Sequence, residues 1–205
     1  MSQARVLTER DVSRVLRYIA NHKHASRNRA MFLLTTQTGM RIGEVAALRL
    51  SQVLTKDGKI RDEIRLAPDQ TKGGRGRLVV LSEKAQHEIY HYLSVRFRLK
   101  DLFPLTMTDT SRALFCTQKN PDRGFSASTL SQHFHYMYKN AGIDGASSHS
   151  GRRSFITQLA EKGVSVRVLM ELAGHRSLSV TQRYIETNPS MLRRAVETRV
   201  RHIFR

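Results

Sequence analysis

The sequence predicts a mainly α-helical protein carrying one small antiparallel β-hairpin, an α+β class built on a single core. Three observations lead there. Apolar residues recur at helical spacing in most of the chain, with capping residues before the runs and glycines after them. Only one pair of segments reads as strands, "KIRDEIRLA" and "RLVVLS", on either side of the glycine-rich "TKGGRGR". Finally, 205 residues with 40% hydrophobic content can bury a sizeable core in one domain.

The elements follow in order. Thr8 is placed to cap a helix through about Asn21, with Val12, Val15, Leu16 and Ile19 on one face. Ser26 is placed to cap a second that stops at Gly39, and "IGEVAALRL" reads as a short third helix. After the hairpin, a helix is expected from about Ser82 to Lys100, then a loop through "DLFPLTMTDTS", a short strand at "ALFC" and a loop at "KNPDRG". The remainder reads as helices at Ser128 to Asn140, Ser150 to Lys162, Val166 to Leu172 and Leu178 to Glu186, with a last one after Pro189. No internal repeat or low-complexity linker appears. One domain is expected over 1–205, its core at about 8–187 and a helical tail at about 189–205.

Charge narrows the function. Lys and Arg outnumber Asp and Glu by 35 to 17, a formal charge of +18, and such an excess is self-repulsive without an anionic partner. Nucleic acid is the leading partner. No run of eighteen apolar residues exists and "MSQARVLTER" lacks an apolar signal region, so no membrane association is expected and the cytoplasm is the expected compartment. The single cysteine, Cys116, can form neither an internal disulfide nor a cysteine-rich zinc site, which fits a reducing compartment; it reads as a buried strand residue.

Two motifs point elsewhere. "HEIYH", His87 to His91, matches the H-E-x-x-H zinc-protease pattern, in which two histidines one turn apart bind the metal. On a helix, however, the apolar stripe runs through Ala85, Ile89, Tyr92 and Leu93, which turns both histidines to solvent. "LAEKGVSVRVLMELAGHRS" has the outline of a helix-turn-helix with Val166 to Leu172 as recognition helix, so a DNA-binding regulator is an alternative. It leaves other residues unexplained.

Those residues are the ones able to grip or attack a phosphate. Arg41 opens a helix with Glu44 three residues on, a carboxylate able to orient the guanidinium. His149 and Arg152 share one face of a helix's first turn, and Lys72 sits at the tip of the glycine-rich hairpin. His175 precedes Tyr184 by nine residues. Singly, each has an ordinary reading as a surface pair, a solvated turn lysine or a packed ring.

Together, "TGMRIGEVAALRL", the hairpin lysine in "TKGGRGR", "HSGRRS" and "LAGHRSLSVTQRY" resemble the tyrosine recombinase, or phage integrase, family from about Ser26 to Tyr184. The resemblance implies the recombinase catalytic-domain fold and cleavage and rejoining of DNA strands through a 3′-phosphotyrosyl intermediate. It makes Arg41, Lys72, His149, Arg152 and His175 the activating set, Tyr184 the nucleophile and Glu44 the support of the first arginine. It implies no metal and no cofactor. Arg153 matches no catalytic position and reads as a phosphate or surface contact, and Arg75, Arg77, Arg153 and Arg176 are candidates for DNA contact.

Chemistry fits these residue types. A phenol with a pKa of about 10 must lose its proton as it attacks, and His149 is the candidate acceptor, leaving His175 to hydrogen-bond the phosphate. Planar arginine forks suit the charge that builds on non-bridging oxygens, and a lysine on a turn can protonate the departing 5′-oxygen. Fewer than thirty residues precede the matched core, so the separate N-terminal DNA-clamping domain of larger members is expected to be missing, as in the short single-domain recombinases that invert promoter segments controlling fimbriae. The expected partner is double-stranded DNA at specific sites, with a homo-tetramer in the synaptic complex and accessory DNA-bending proteins as further partners. A bacterial, phage or mobile-element origin is expected. The tail "MLRRAVETRVRHIFR" has five arginines and partly periodic apolar residues, a helix able to dock on its own chain, another subunit or DNA. A type IB topoisomerase shares the phosphate chemistry and is the second enzymatic alternative.

Overall fold

The computed structural model describes residues 4–71, 73–97, 112–117, 123–185, 192–193 and 196–197. The chain divides into two compact units, Met1–Phe155 and Ile156–Arg205, and the division falls inside one helix.

The first unit is built around a helix that is buried nearly all round. Helix α1 (Glu9–Ala20) starts with a reciprocal cap: the Thr8 hydroxyl accepts the Asp11 N–H at 3.1 Å and the Asp11 carboxylate accepts the Thr8 N–H at 3.1 Å. Val15 and Ile19 turn inward, with Val12 and Leu16 packed beside them. Helix α2 (Ala25–Thr38) begins one residue before the predicted Ser26 cap, with left-handed His24 leading into it. Its Ala30, Met31, Phe32, Leu33 and Leu34 are all buried, because α2 packs against α1 and against the helices at Ile42–Ala46 and Glu83–Arg96. A helix apolar on every side belongs in the middle of a core.

The predicted third helix is split in two. Helix α3 covers Ile42–Ala46 and helix α4 covers Leu50–Val53. Between them the backbone turns aside to pair with a distant segment: the Leu50 N–H donates to the Arg112 carbonyl at 2.9 Å and the Leu114 N–H to the Leu48 carbonyl at 2.7 Å. Long-range pairing that buries Leu48, Leu50, Leu114 and Phe115 outweighs a local helix of nine residues. For the same reason "ALFC" forms no strand. Ala113 makes a single bridge to Arg49 and Cys116 a single bridge to Gly124, and Cys116 is buried as expected.

Strands β1 (Glu63–Leu66) and β2 (Arg77–Val80) pair antiparallel with Ile64 opposite Val79 and Leu66 opposite Arg77. Both are shorter than the alternating pattern suggested, and the connection of ten residues holds a 3₁₀ turn at Pro68–Gln70. Helix α5 (Glu83–Arg96), capped by the Ser82 hydroxyl, buries Ala85, Ile89, Tyr92 and Leu93 against α2. Helix α6 (Ala127–Asn140) is capped by Ser126 and packs on α1 and α3 through Leu130, Phe134, Met137 and Tyr138.

Helix α7 (Ser150–Glu161) contains the division between the units. In the second unit, Ile156 and Ala160 of α7 are buried, and Gly163 has a left-handed φ of 85° just past its end. Helix α8 (Val166–Ala173), capped by Ser165 and stopped by left-handed Gly174, packs on helix α9 (Leu178–Gln182). Helix α9 ends four residues before the expected Glu186. Its last amides bond back three residues, Tyr184 to Thr181 and Ile185 to Gln182, so Tyr184 sits in a tight turn rather than in a helix interior. Glu186 and nearly all of the predicted tail helix lie outside the described residues. No described helix is long and apolar enough to cross a membrane.

Candidate active site

The first arginine is held before any ligand arrives. Arg41 stands at the N-cap of α3 in extended conformation, and the Glu44 carboxylate reaches back to its backbone N–H at 2.7 Å. The other carboxylate oxygen accepts from the Arg41 guanidinium at 3.0 Å. Both oxygens of Glu44 are then gripped a second time, by Arg77 of β2, through Nε at 3.1 Å and Nη2 at 2.7 Å. Glu44 is 1% exposed, so its charge depends on these partners. Burial alone pushes its carboxyl pKa up, and the hydrogen bond and charge of Arg77, with the backbone bond and charge of Arg41, outweigh that and hold it below the ordinary value. Arg41 keeps 24% of its side chain exposed. Two cations around one carboxylate leave a net positive charge beside that exposed edge.

The second arginine is anchored close by in the same unit. Arg152, in the first turn of α7, is 4% exposed, and its Nη1 donates to the Gly39 carbonyl at 2.6 Å. Gly39 lies two residues before Arg41, so the end of α2 ties the two arginines together. The position requires glycine twice over: its φ is +65°, and a Cβ there would lie 2.5 Å from the Phe155 ring. Gly151 likewise lets α7 approach α2, since a Cβ would collide with the Thr35 hydroxyl. Hydroxyls fix the start of α7. Ser150 Oγ accepts from the Ser147 N–H at 3.0 Å, Ser131 Oγ donates to Ser148 Oγ at 2.9 Å, and Ser154 Oγ accepts from the Leu7 N–H at 2.7 Å. On this fixed turn His149 is exposed, with its carbonyl taking the Arg153 N–H at 2.9 Å.

The second unit brings His175 and Tyr184 together. Their rings stack with centroids 5.5 Å apart and planes 18° from parallel. His175 Nδ1 lies 2.8 Å from the hydroxyl of Thr181, a fully buried residue, and the Thr157 hydroxyl donates to the Tyr184 carbonyl at 3.4 Å. Thr181 is a residue that the sequence did not single out. Its place three residues before Tyr184 and six after His175 was the available signal.

Comparison with known proteins gives the family. The phage integrase family profile matches residues 5–191. The chain belongs to the phage integrase family. Within the family, tyrosine recombinase XerA of Pyrococcus furiosus is 31% identical over 193 residues, covering 93% of this chain and 60% of that protein. Tyrosine recombinase XerC of Lactobacillus delbrueckii subsp. bulgaricus is 31% identical over 192 residues, again covering 60% of the relative. This chain thus spans about 60% of the length of the curated relatives it matches. A crystal structure of XerA recombinase superimposes with a TM-score of 0.70 at 25% identity, over 100% of this chain and 66% of that one. The Tn1549 transposon integrase, solved with a circular intermediate DNA, shares the fold with a TM-score of 0.70 at 17% identity over 97% of this chain and 67% of that one.

Against that phage integrase background the remaining candidates sort themselves. Lys72 lies outside the described residues; next to it Gly73 and Gly74 have positive φ, and the Thr71 hydroxyl closes the loop onto the Arg75 carbonyl at 2.6 Å. Arg75 and Arg176 are exposed. Arg77 was expected to touch DNA, yet its side chain is 8% exposed and bound to Glu44. Arg153, expected at phosphate or surface, donates to the Ala4 carbonyl at 2.6 Å and so fastens the N-terminal segment. In "HEIYH" both histidines are exposed while Glu88 is turned inward, clamped by Arg29 at 2.7 Å through each oxygen. Among the described residues no three His, Cys, Asp or Glu side chains converge to hold a metal ion.

Proposed function

We propose that the protein is a site-specific DNA recombinase that cleaves and rejoins strands through Tyr184. One observation carries the reading: the Arg152 guanidinium is bonded to the carbonyl of Gly39, two residues from Arg41, so a single backbone segment positions two arginines for one phosphate. The stacked His175 and Tyr184, the +18 charge and the tyrosine recombinases among its relatives support it.

The chemistry runs in balance without an external energy source. The Tyr184 oxygen attacks phosphorus, its proton passes to His149, and the bond to the 5′-oxygen breaks as Lys72 protonates the departing alkoxide. Arg41 and Arg152 hold the non-bridging oxygens, where negative charge grows, and His175 donates a further hydrogen bond. The phosphotyrosyl ester keeps the bond energy, so a different 5′-hydroxyl can reverse the steps and rejoin the strand. The partner is double-stranded DNA at defined sites, with two protomers on each site and four in the synapse, and accessory DNA-bending proteins as helpers. The protein acts in the cytoplasm, on the nucleoid or a mobile element.

The test uses duplexes enriched from a random-sequence pool by binding to the protein, then nicked so that cleavage traps the intermediate. The intact protein is expected to form a covalent adduct on the 3′ side, and Tyr184→Phe none. An adduct that persists in Tyr184→Phe, or none with the intact protein, overturns the reading. A bridging sulfur at the 5′ position is expected to rescue Lys72→Ala but not Tyr184→Phe, because a thiol with a pKa of about 8.5 leaves with far less protonation than an alcohol.

A further inference from the structure

Arg77 is a buried cation that the chemistry above does not use. It sits on β2, opposite Leu66, 33 residues from Glu44 along the chain, and yet it makes the same bidentate approach to the Glu44 carboxylate that a substrate phosphate would invite. Such a fork is the strongest geometry an arginine has for a carboxylate. Resting on the recombinase reading, we infer that Arg77 is a positioning residue for the strand-cleavage step: it holds Glu44 in the plane that aims Arg41, and it restores the positive charge that Glu44 takes away.

Two physical consequences separate this role from ordinary packing. The first is charge. An isolated Arg41–Glu44 pair is neutral and offers little to an incoming phosphate; with Arg77 the three groups carry one net positive charge, in a place where low exposure limits screening. The second is geometry. Each Glu44 oxygen accepts one bond from Arg41 and one from Arg77, Oε1 at 3.0 and 3.1 Å and Oε2 at 2.7 and 2.7 Å. With only the Arg41 pair of bonds, the carboxylate can rotate, and the exposed guanidinium edge rotates with it. Because β2 closes the connection that starts at Leu66 and includes Lys72, the same bond ties the strand behind the proposed general acid to the first phosphate-binding arginine. Removing Arg77 also takes away the first partner that opposes burial at Glu44, so that carboxyl becomes protonated at higher pH.

The experiment measures single-turnover adduct formation on the enriched, nicked duplexes, with DNA affinity and thermal unfolding followed in parallel. Arg77→Ala is expected to slow adduct formation by about 10- to 100-fold, the scale for losing an outer partner of a site residue, while DNA affinity stays within about twofold of the parent. The acid limb of its rate profile shifts to higher pH. Arg77→Lys, which keeps the charge and is expected to fold, recovers only part of the rate because a point charge cannot span both oxygens. In a Glu44→Gln background, Arg77→Ala is expected to cost little more, since the two act through one contact. Wild-type rates and an unmoved acid limb in Arg77→Ala, or fully additive losses in the double variant, overturn the role for Arg77 and leave the recombinase reading intact. Absence of adduct in the parent protein overturns both.

Discussion

The two units hold their candidate residues in different ways. Around Arg41 and Arg152, buried ionic and backbone bonds converge from α2, α3, β2 and α7, and the side chains that could meet a phosphate are fixed before it binds. Around Tyr184 the contacts among the described residues are a five-residue helix, a turn closed by two short-range amide bonds, the Thr157 hydroxyl on its carbonyl and a stacked imidazole. On the proposed mechanism the two regions divide the labour. Groups that stabilise developing charge gain from being immobile, because reorganisation during the reaction would cost the stabilisation they provide. A nucleophile that must bond to phosphorus and later release it gains from a short, locally held segment.

If that division is right, substitutions in the first region affect both rate and stability, whereas those in the second affect rate. Within the first region the largest effect is expected at Arg152. Arg152→Ala should slow adduct formation by roughly two to three orders of magnitude and destabilise the protein by about 1–3 kcal/mol, because the buried Gly39 carbonyl loses its donor. Single-turnover kinetics and denaturant melts check the two arms, and a rate loss without a stability loss would break the contrast.

Gly39→Ala comes next. The left-handed backbone and the Phe155 ring both oppose a methyl group there, for a combined cost of about 2–4 kcal/mol. Since the same residue supplies the carbonyl that holds Arg152, cleavage should fall with it, measurable at a temperature where the variant is still folded. In the second region, Thr181→Val keeps the shape and removes the hydroxyl beside His175 Nδ1. Adduct formation is expected to slow about tenfold while stability changes by about 1 kcal/mol. A larger stability loss than rate loss would show that Thr181 serves packing rather than the histidine.

The smallest effect is on acid stability. Glu44 titrates below its ordinary value in the folded protein, so its stabilising contribution is complete above the unfolded value of about 4.3 and is lost as pH falls through the lower folded value. Melting temperature should therefore drop more steeply with acid in the parent than in Glu44→Gln, and no difference in slope between about pH 4.3 and lower pH would place the burden of holding Arg41 elsewhere.

Much of this protein was determined by sequence alone, wherever the deciding interaction is local. Thr8, Ser82, Ser126 and Ser165 act within one turn of themselves and start their helices; Gly39, Gly163 and Gly174 end theirs because only glycine adopts the left-handed φ at low cost. The stripe Ala85, Ile89, Tyr92 and Leu93 likewise decided that His87 and His91 face solvent. Tertiary structure decided what depends on residues far apart in the chain. It split "IGEVAALRL", because residues 112–114 offered the backbone of 48–50 better partners than a helix could. It turned Arg77 and Arg153, indistinguishable in sequence from other surface arginines, into bonds to Glu44 and Ala4. A charge count registers how many cations a chain carries, but whether one faces a phosphate or a carboxylate depends on which buried acid the fold sets opposite it, and for Arg77 that acid lies 33 residues back, on a different element.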